Sequence, residues 1–256
     1  MPIVEVNGEK LHFIQNGSGP ALILLHGIGA RADLWADLIG QLSARYAVSA
    51  FDLRGHGAST CNRELSVAAM ADDLIKAADQ LQLPPFHLAG VSLGGAVALS
   101  VAAAAPERVK SLTVGSIGLG SGGALADEIY GIREAVHYLQ PADFAEQVSQ
   151  DVLNPDAPSE RLEALASSIQ SLGRQRYLKA LEALAAAGLD TAAAKVKART
   201  LVLHGEQDQL IAKPSADALA KAVGGARRVE VPDAGHLLDI DNPEAFAAEL
   251  TGFLAG

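Results

Sequence analysis

The run Ala21-Leu22-Ile23-Leu24-Leu25, closed by His26-Gly27, constrains the fold more than any other segment. Five consecutive apolar residues without polar alternation suit a strand buried on both faces, as in a parallel sheet covered by helices. Further strands are expected at 46–51, 86–91, 109–114, 200–203 and 228–231. Asn7-Gly8-Glu9 predicts a hairpin joining strands at 3–6 and 11–14. Between the strands, Val67, Met70, Ala71, Leu74, Ala78 and Leu81 recur at helical spacing, with Ser66 placed as N-cap and Asp72 and Lys76 four apart on the polar face. Asn242-Pro243-Glu244 opens a last helix that runs through Phe246, Leu250 and Phe253. Alternating strands and helices predict an α/β fold, a mostly parallel sheet flanked by helices.

Residues 118–198 break this rhythm. Gly118-Leu119-Gly120-Ser121-Gly122-Gly123 reads as a flexible hinge, followed by Ala- and Leu-rich helix to about Leu189 with no strand. At about 80 residues the stretch is too long for a plain connection. The expected organisation is therefore a core of residues 1–117 and 199–256 with a helical lid, 118–198, inserted over the C-terminal edge of the sheet, where open α/β sheets bind ligands.

Composition narrows the function. Of 256 residues 49% are hydrophobic and 20% charged, a globular balance that excludes a disordered chain. A net charge of −10 repels phosphate backbones, so no nucleic-acid partner is expected. With one cysteine, Cys61, neither an intrachain disulfide nor a cysteine-based metal site can form. Met1-Pro2-Ile3-Val4-Glu5 lacks a basic n-region, and no segment approaches the roughly 18 apolar residues of a membrane helix. The expectation is a cytoplasmic protein with no membrane partner; a homo-oligomer is left open.

Gly90-Val91-Ser92-Leu93-Gly94 fits G-x-S-x-G and lies between a strand and a helix expected at 96–105. Such a sharp turn lifts the serine hydroxyl above the sheet, with glycines giving it room. A serine nucleophile needs a base, and the base an orienting acid. His236 follows the last strand; Asp208 follows the strand at 200–203. Asp208 comes 116 residues after Ser92 and 28 before His236, the Ser-Asp-His order expected of this elbow. Glu206 and Asp233 compete with Asp208 for the acid role, while Asp239 and Asp241 are expected to precede and solvate the last helix. Two backbone amides should stabilise an oxyanion, that of Leu93 at the helix start and that of Ile28 in the glycine-flanked loop His26-Gly27-Ile28-Gly29.

The same loop fits a second pattern. Gly27-Ile28-Gly29-Ala30-Arg31-Ala32 reads as G-x-G-x-x-A, with Asp52 ending the next strand, close to a dinucleotide-binding fingerprint. A hairpin precedes that strand, however, and a dehydrogenase leaves Ser92, Asp208 and His236 unexplained.

These segments, with Asp52-Leu53-Arg54-Gly55-His56-Gly57-Ala58-Ser59 and Gly205-Glu206-Gln207-Asp208, resemble the α/β-hydrolase superfamily from about Ile3 to Leu254, the lid excepted. The core is similar to 3-oxoadipate enol-lactonases and related small esterases and C–C bond hydrolases. The resemblance implies a Ser92–His236–Asp208 triad and no cofactor; the histidines have no partners at ligand spacing, so no metal is expected, and the expected substrate is a small-molecule carboxylic ester or lactone. Fold and triad leave open C–C hydrolase, hydroxynitrile lyase and perhydrolase chemistry, or a non-catalytic binding protein. Arg54 and His56 are read as loop structure, His26, His87 and His204 as satisfied histidines, Cys61 as inert, and Trp35 as an anchor for the helix it begins. The expected pocket wall is Leu119, Leu210 and Leu237, beside Ile28 and Leu93, with Leu125, Ile129, Ile132 and Val136 from the lid. A carboxylate on the substrate would need a cation, for which Arg31, Arg133 and His137 are the candidates.

Overall fold

Leu22 to Leu25 are fully buried, as a strand covered on both faces must be. A computed structural model describes residues 2–119, 134 and 138–256. Among them one sheet is built from β1 (Ile3–Val6), β2 (Glu9–Asn16), β3 (Ala21–Leu25), β4 (Ala47–Phe51), β5 (Phe86–Val91), β6 (Val109–Gly115), β7 (Arg199–Gly205) and β8 (Arg227–Val231). The order is β1-β2-β4-β3-β5-β6-β7-β8. β1 pairs with β2 and β2 with β4 antiparallel; every other pair is parallel. The strands that lead into the segments of Ser92, Asp208 and His236 therefore all point the same way.

The flanking helices begin with a short 3₁₀ turn (Ala32–Trp35) leading into α1 (Ala36–Leu42). They continue with α2 (Val67–Gln80) and α3 (Leu93–Ala104). After β7 and β8 come α8 (Lys213–Val223), the short α9 (Leu238–Asp241) and α10 (Pro243–Ala255). Local chemistry sets their ends. Ser66 Oγ accepts the Ala69 amide at 3.2 Å, and Asn242 Oδ1 accepts that of Ala245 at 3.0 Å. Lys76 and Asp72 pair at 2.7 Å across one turn of α2. Trp35 is buried, its ring centroid 5.6 Å from that of Phe246, so it ties the 3₁₀ turn to α10. The helix after β5 starts at Leu93, three residues earlier than expected, because the chain turns directly from strand to helix at Ser92.

Between β6 and β7 lie α4 (Pro141–Val152), α5 (Ser159–Leu172), α6 (Arg174–Ala185) and α7 (Leu189–Ala193), with no strand among the described residues. Helix extends past Leu189 to Ala193. The described start of the expected hinge packs against α8. Gly118 and Leu119 are buried, and the Leu119 amide donates to the Ser215 carbonyl at 3.0 Å. A Cβ on Gly118 would stand 2.6 Å from that of Ser215, so glycine is what lets the chain pass α8.

Candidate active site

Ser92 sits at the turn from β5 to α3 with φ 53° and ψ −118°, a region that costs a residue with a side chain about 1–3 kcal/mol. The surroundings hold it there. Its amide donates to the Gly115 carbonyl at 2.8 Å, and its carbonyl accepts the Ala96 amide at 2.9 Å. The turn is tight enough that a Cβ on Gly94 would fall 2.2 Å from the Leu25 carbonyl oxygen, and one on Gly90 2.3 Å from that of Gly94. The glycines flanking the serine are therefore steric requirements of the backbone.

Ser92 Oγ lies 2.9 Å from His236 Nε2. His236 Nδ1 lies 3.1 and 3.2 Å from the two carboxylate oxygens of Asp208. A carboxylate only accepts, so Nδ1 carries the ring proton, and Nε2 accepts from the serine hydroxyl. Asp208, its side chain fully buried, also accepts the amides of Leu210 (2.9 Å) and Ile211 (3.0 Å). Burial alone would push its carboxyl up, but His236 and these amides hold it below the usual carboxylate range. The competing acids are elsewhere: Glu206 and Asp233 are both exposed.

The loop after β3 closes over the serine. A Cβ on Gly27 would meet Leu237 Cδ2 at 2.6 Å and Ser92 Cβ at 3.4 Å. The loop is pinned from behind. His26 Nε2 accepts the Leu53 amide at 3.1 Å, leaving Nδ1 to donate to the Gly27 carbonyl at 2.7 Å. Asp52 accepts the Ala32 amide at 2.7 Å, the Ala58 amide at 2.9 Å and His12 Nδ1 at 2.7 Å. Asp52, the acid of the dinucleotide pattern, is thus committed to holding loops together.

A cavity of about 160 Å³ opens at Ser92 and His236. Ile28, Leu210 and Leu237 line it as expected. Leu93 and Leu119 are buried in the hydrophobic core and do not line the cavity. Leu125, Ile129, Ile132, Val136, Arg133 and His137 lie outside the described residues. Arg31 pairs with Asp33 at 2.7 Å and does not reach the cavity wall.

The sequence pattern that defines the alpha/beta hydrolase family matches residues 22–249. The chain is an alpha/beta hydrolase. Over 98% of its length this alpha/beta hydrolase is 25% identical to the 3-oxoadipate enol-lactonase 1 of Acinetobacter baylyi, of which it covers 92%. Over 91% of its length it is 30% identical to the pimeloyl-(acyl-carrier protein) methyl ester esterase of Neisseria meningitidis, of which it also covers 92%. The crystal structure of the enol-lactonase from Burkholderia xenovorans has the same fold, with a TM-score of 0.89 at 24% identity over the whole of both chains.

Two groups of residues in this alpha/beta hydrolase depart from expectation. Tyr177, Leu181, Leu184 and Ala185 form one face of α6 and line the cavity, together with Val152 at the end of α4. Their spacing of four, three and one was there to be read in the sequence. Asp239 and Asp241, expected to be solvated ahead of the last helix, are instead buried in α9. Burial pushes their carboxyls up to about 7 and about 6 respectively. Arg54 likewise does more than cap loop carbonyls, since its guanidinium grips both Asp73 oxygens at 2.8 Å as well as the Glu64 carbonyl. His87 bonds Ser111 Oγ and His204 the Ile211 carbonyl, and His56 is buried against His26. Among the described residues no helix is long and apolar enough to cross a membrane.

Proposed function

We propose that this protein is a serine hydrolase that cleaves small, uncharged carboxylic esters or lactones through an acyl-enzyme. The observation that carries the reading is the 2.9 Å contact between Ser92 Oγ and His236 Nε2 at the head of the cavity, with Asp208 behind the imidazole. Ser92 attacks the carbonyl carbon while His236 takes its proton, and Asp208 holds the tautomer and stabilises the imidazolium. The amides of Leu93 and Ile28 receive the oxyanion. Leu93 supports this role because the amide of a helix's first residue has no intrahelical acceptor, and Ile28 because its loop is closed against Ser92. His236 returns the proton to the leaving oxygen, and water then repeats the sequence on the acyl-enzyme. The helices between β6 and β7 act as the lid.

Charge supports the uncharged substrate. No described residue lining the cavity is Lys or Arg, and Asp190 stands among them. A carboxylate buried there would lack a cationic partner among the described lining residues. The enol-lactonase and the methyl ester esterase among the relatives support ester or lactone cleavage.

Turnover of p-nitrophenyl acetate, with a fluorophosphonate probe labelling Ser92, is the expected result. Ser92→Ala should lower kcat by roughly 10⁴–10⁶-fold and abolish labelling without loss of fold. Labelling at another residue, with Ser92→Ala still active, would refute the assignment. Of two esters matched in size, the neutral one should be preferred to one bearing a free carboxylate; the opposite preference would restore an enol-lactonase-like substrate.

A further inference from the structure

The end of α4 is fastened to the loop that carries His236 by main-chain groups on both sides. The Val152 carbonyl accepts the amides of His236 at 2.9 Å and Leu237 at 3.2 Å. From the other direction, the Asp241 carboxylate accepts the Asn154 amide, 3.0 Å from each oxygen, and the Gly235 amide at 2.8 Å. Asn154 and Asp241 are 87 residues apart in the chain. The join leaves no slack: a Cβ on Gly235 would stand 2.9 Å from Asn154 N and 3.2 Å from Asp241 Oδ2. Val152, His236 and Leu237 all line the cavity, so the join lies at the active site itself.

We propose that Asp241 is a positioning residue, whose carboxylate locks the His236 loop onto the inserted helices and so sets the imidazole at its distance from Ser92. The proposal rests on the reading of Ser92 and His236 as nucleophile and base. Without the carboxylate, two buried main-chain N–H groups lose their acceptor, and the segments must part to admit water. The imidazole then shifts with the loop. A displacement of about 1 Å at a reacting group is enough to cost on the order of 10²-fold in rate. The charged and titratable groups facing Asp241 are Asp239 on its own short helix, His236 on the loop, and Arg161 on α5. The Arg161 guanidinium donates to the Asp241 carbonyl, holding the residue from the far side.

The test uses the full-length protein with Asp241→Asn and Asp241→Ala. Each is followed by thermal melting, by kcat and KM on p-nitrophenyl acetate, and by the rate at which a fluorophosphonate labels Ser92. The expected result is a folded protein with KM little changed, and kcat and labelling rate lowered together, on the order of 10²-fold for Ala and less for Asn, which keeps one acceptor. Folded variants that label at the wild-type rate overturn the positioning role. A wild-type protein that neither turns over nor labels overturns the nucleophile–base reading, and the kinetic role falls with it. Should neither variant fold, hydrogen exchange of the wild type from pH 8 to pH 5 decides. The Asn154 and Gly235 amides should lose protection together as the carboxyl is protonated, those of His236 and Leu237 following. Protection at Asn154 and Gly235 that is indifferent to pH overturns the lock.

Discussion

Asp208 and Asp233 are the same residue type on neighbouring loops, yet the structure gives them opposite surroundings. One is sealed behind His236 and accepts two amides; the other stands in solvent at a turn. Asp208→Asn is accordingly expected to lower kcat on the order of 10⁴-fold, because a carboxamide can present an N–H to Nδ1 and favour the wrong tautomer. Asp233→Asn should leave kcat close to the wild-type value. Steady-state kinetics on one ester compares the two, and a reversed order would move the acid role off Asp208. Ser92, Asp208 and His236 are legible in the sequence because Ser92 directly follows β5 and the other two lie on the loops after β7 and β8. The burial of Asp239 and Asp241 is not. One of the donors to Asp241 is the Asn154 amide, in the loop after α4, and nothing near position 241 announces it.

At the scale of elements, α6 walls the cavity, so under the proposed function it should set the size of the acyl group that fits. Leu184 is only partly covered, so shortening it should open the cavity at modest cost in stability. Leu184→Ala is expected to raise the ratio of kcat/KM for p-nitrophenyl hexanoate over acetate by on the order of 10-fold. An unchanged ratio would place the acyl group against another wall. The strands were readable from their apolar runs and the capped helices from Ser66 and Asn242. The wall of the cavity was harder. The stripe at Tyr177, Leu181 and Leu184 looks in sequence like any amphipathic helix packing on a core, and only the tertiary arrangement shows that part of that core is empty.

Across the whole molecule, buried titratable groups pull stability in two directions. Burial lowers His26, and burial with repulsion from His26 holds His56 down to about 3. The unfolded chain protonates these histidines near pH 6.5 while the native one refuses, so their contribution is complete above that pH and drains away on acidification. Asp239 acts in reverse. Between its ordinary value of 3.8 and about 7, the native chain keeps a proton that the unfolded chain releases, so stability falls as pH rises through that window. Asp239→Asn, neutral at every pH, should therefore lose less stability than wild type between pH 5 and pH 8. At about 1.4 kcal/mol per unit, the difference is capped at a few kcal/mol. Urea unfolding of both proteins at the two pH values measures it; parallel losses would mean that the Asp239 carboxyl titrates normally.

The sheet order carries a consequence for how the protein is made. The turn at Ser92 is built from β3, β5 and β6, but Asp208 and His236 arrive on the loops after β7 and β8, beyond the inserted helices. The residues of the serine turn are therefore synthesised well before the imidazole that would deprotonate Ser92 under the proposed function. Under the proposed function, a chain broken off anywhere before His236 lacks its base and should neither turn over an ester nor react with a fluorophosphonate.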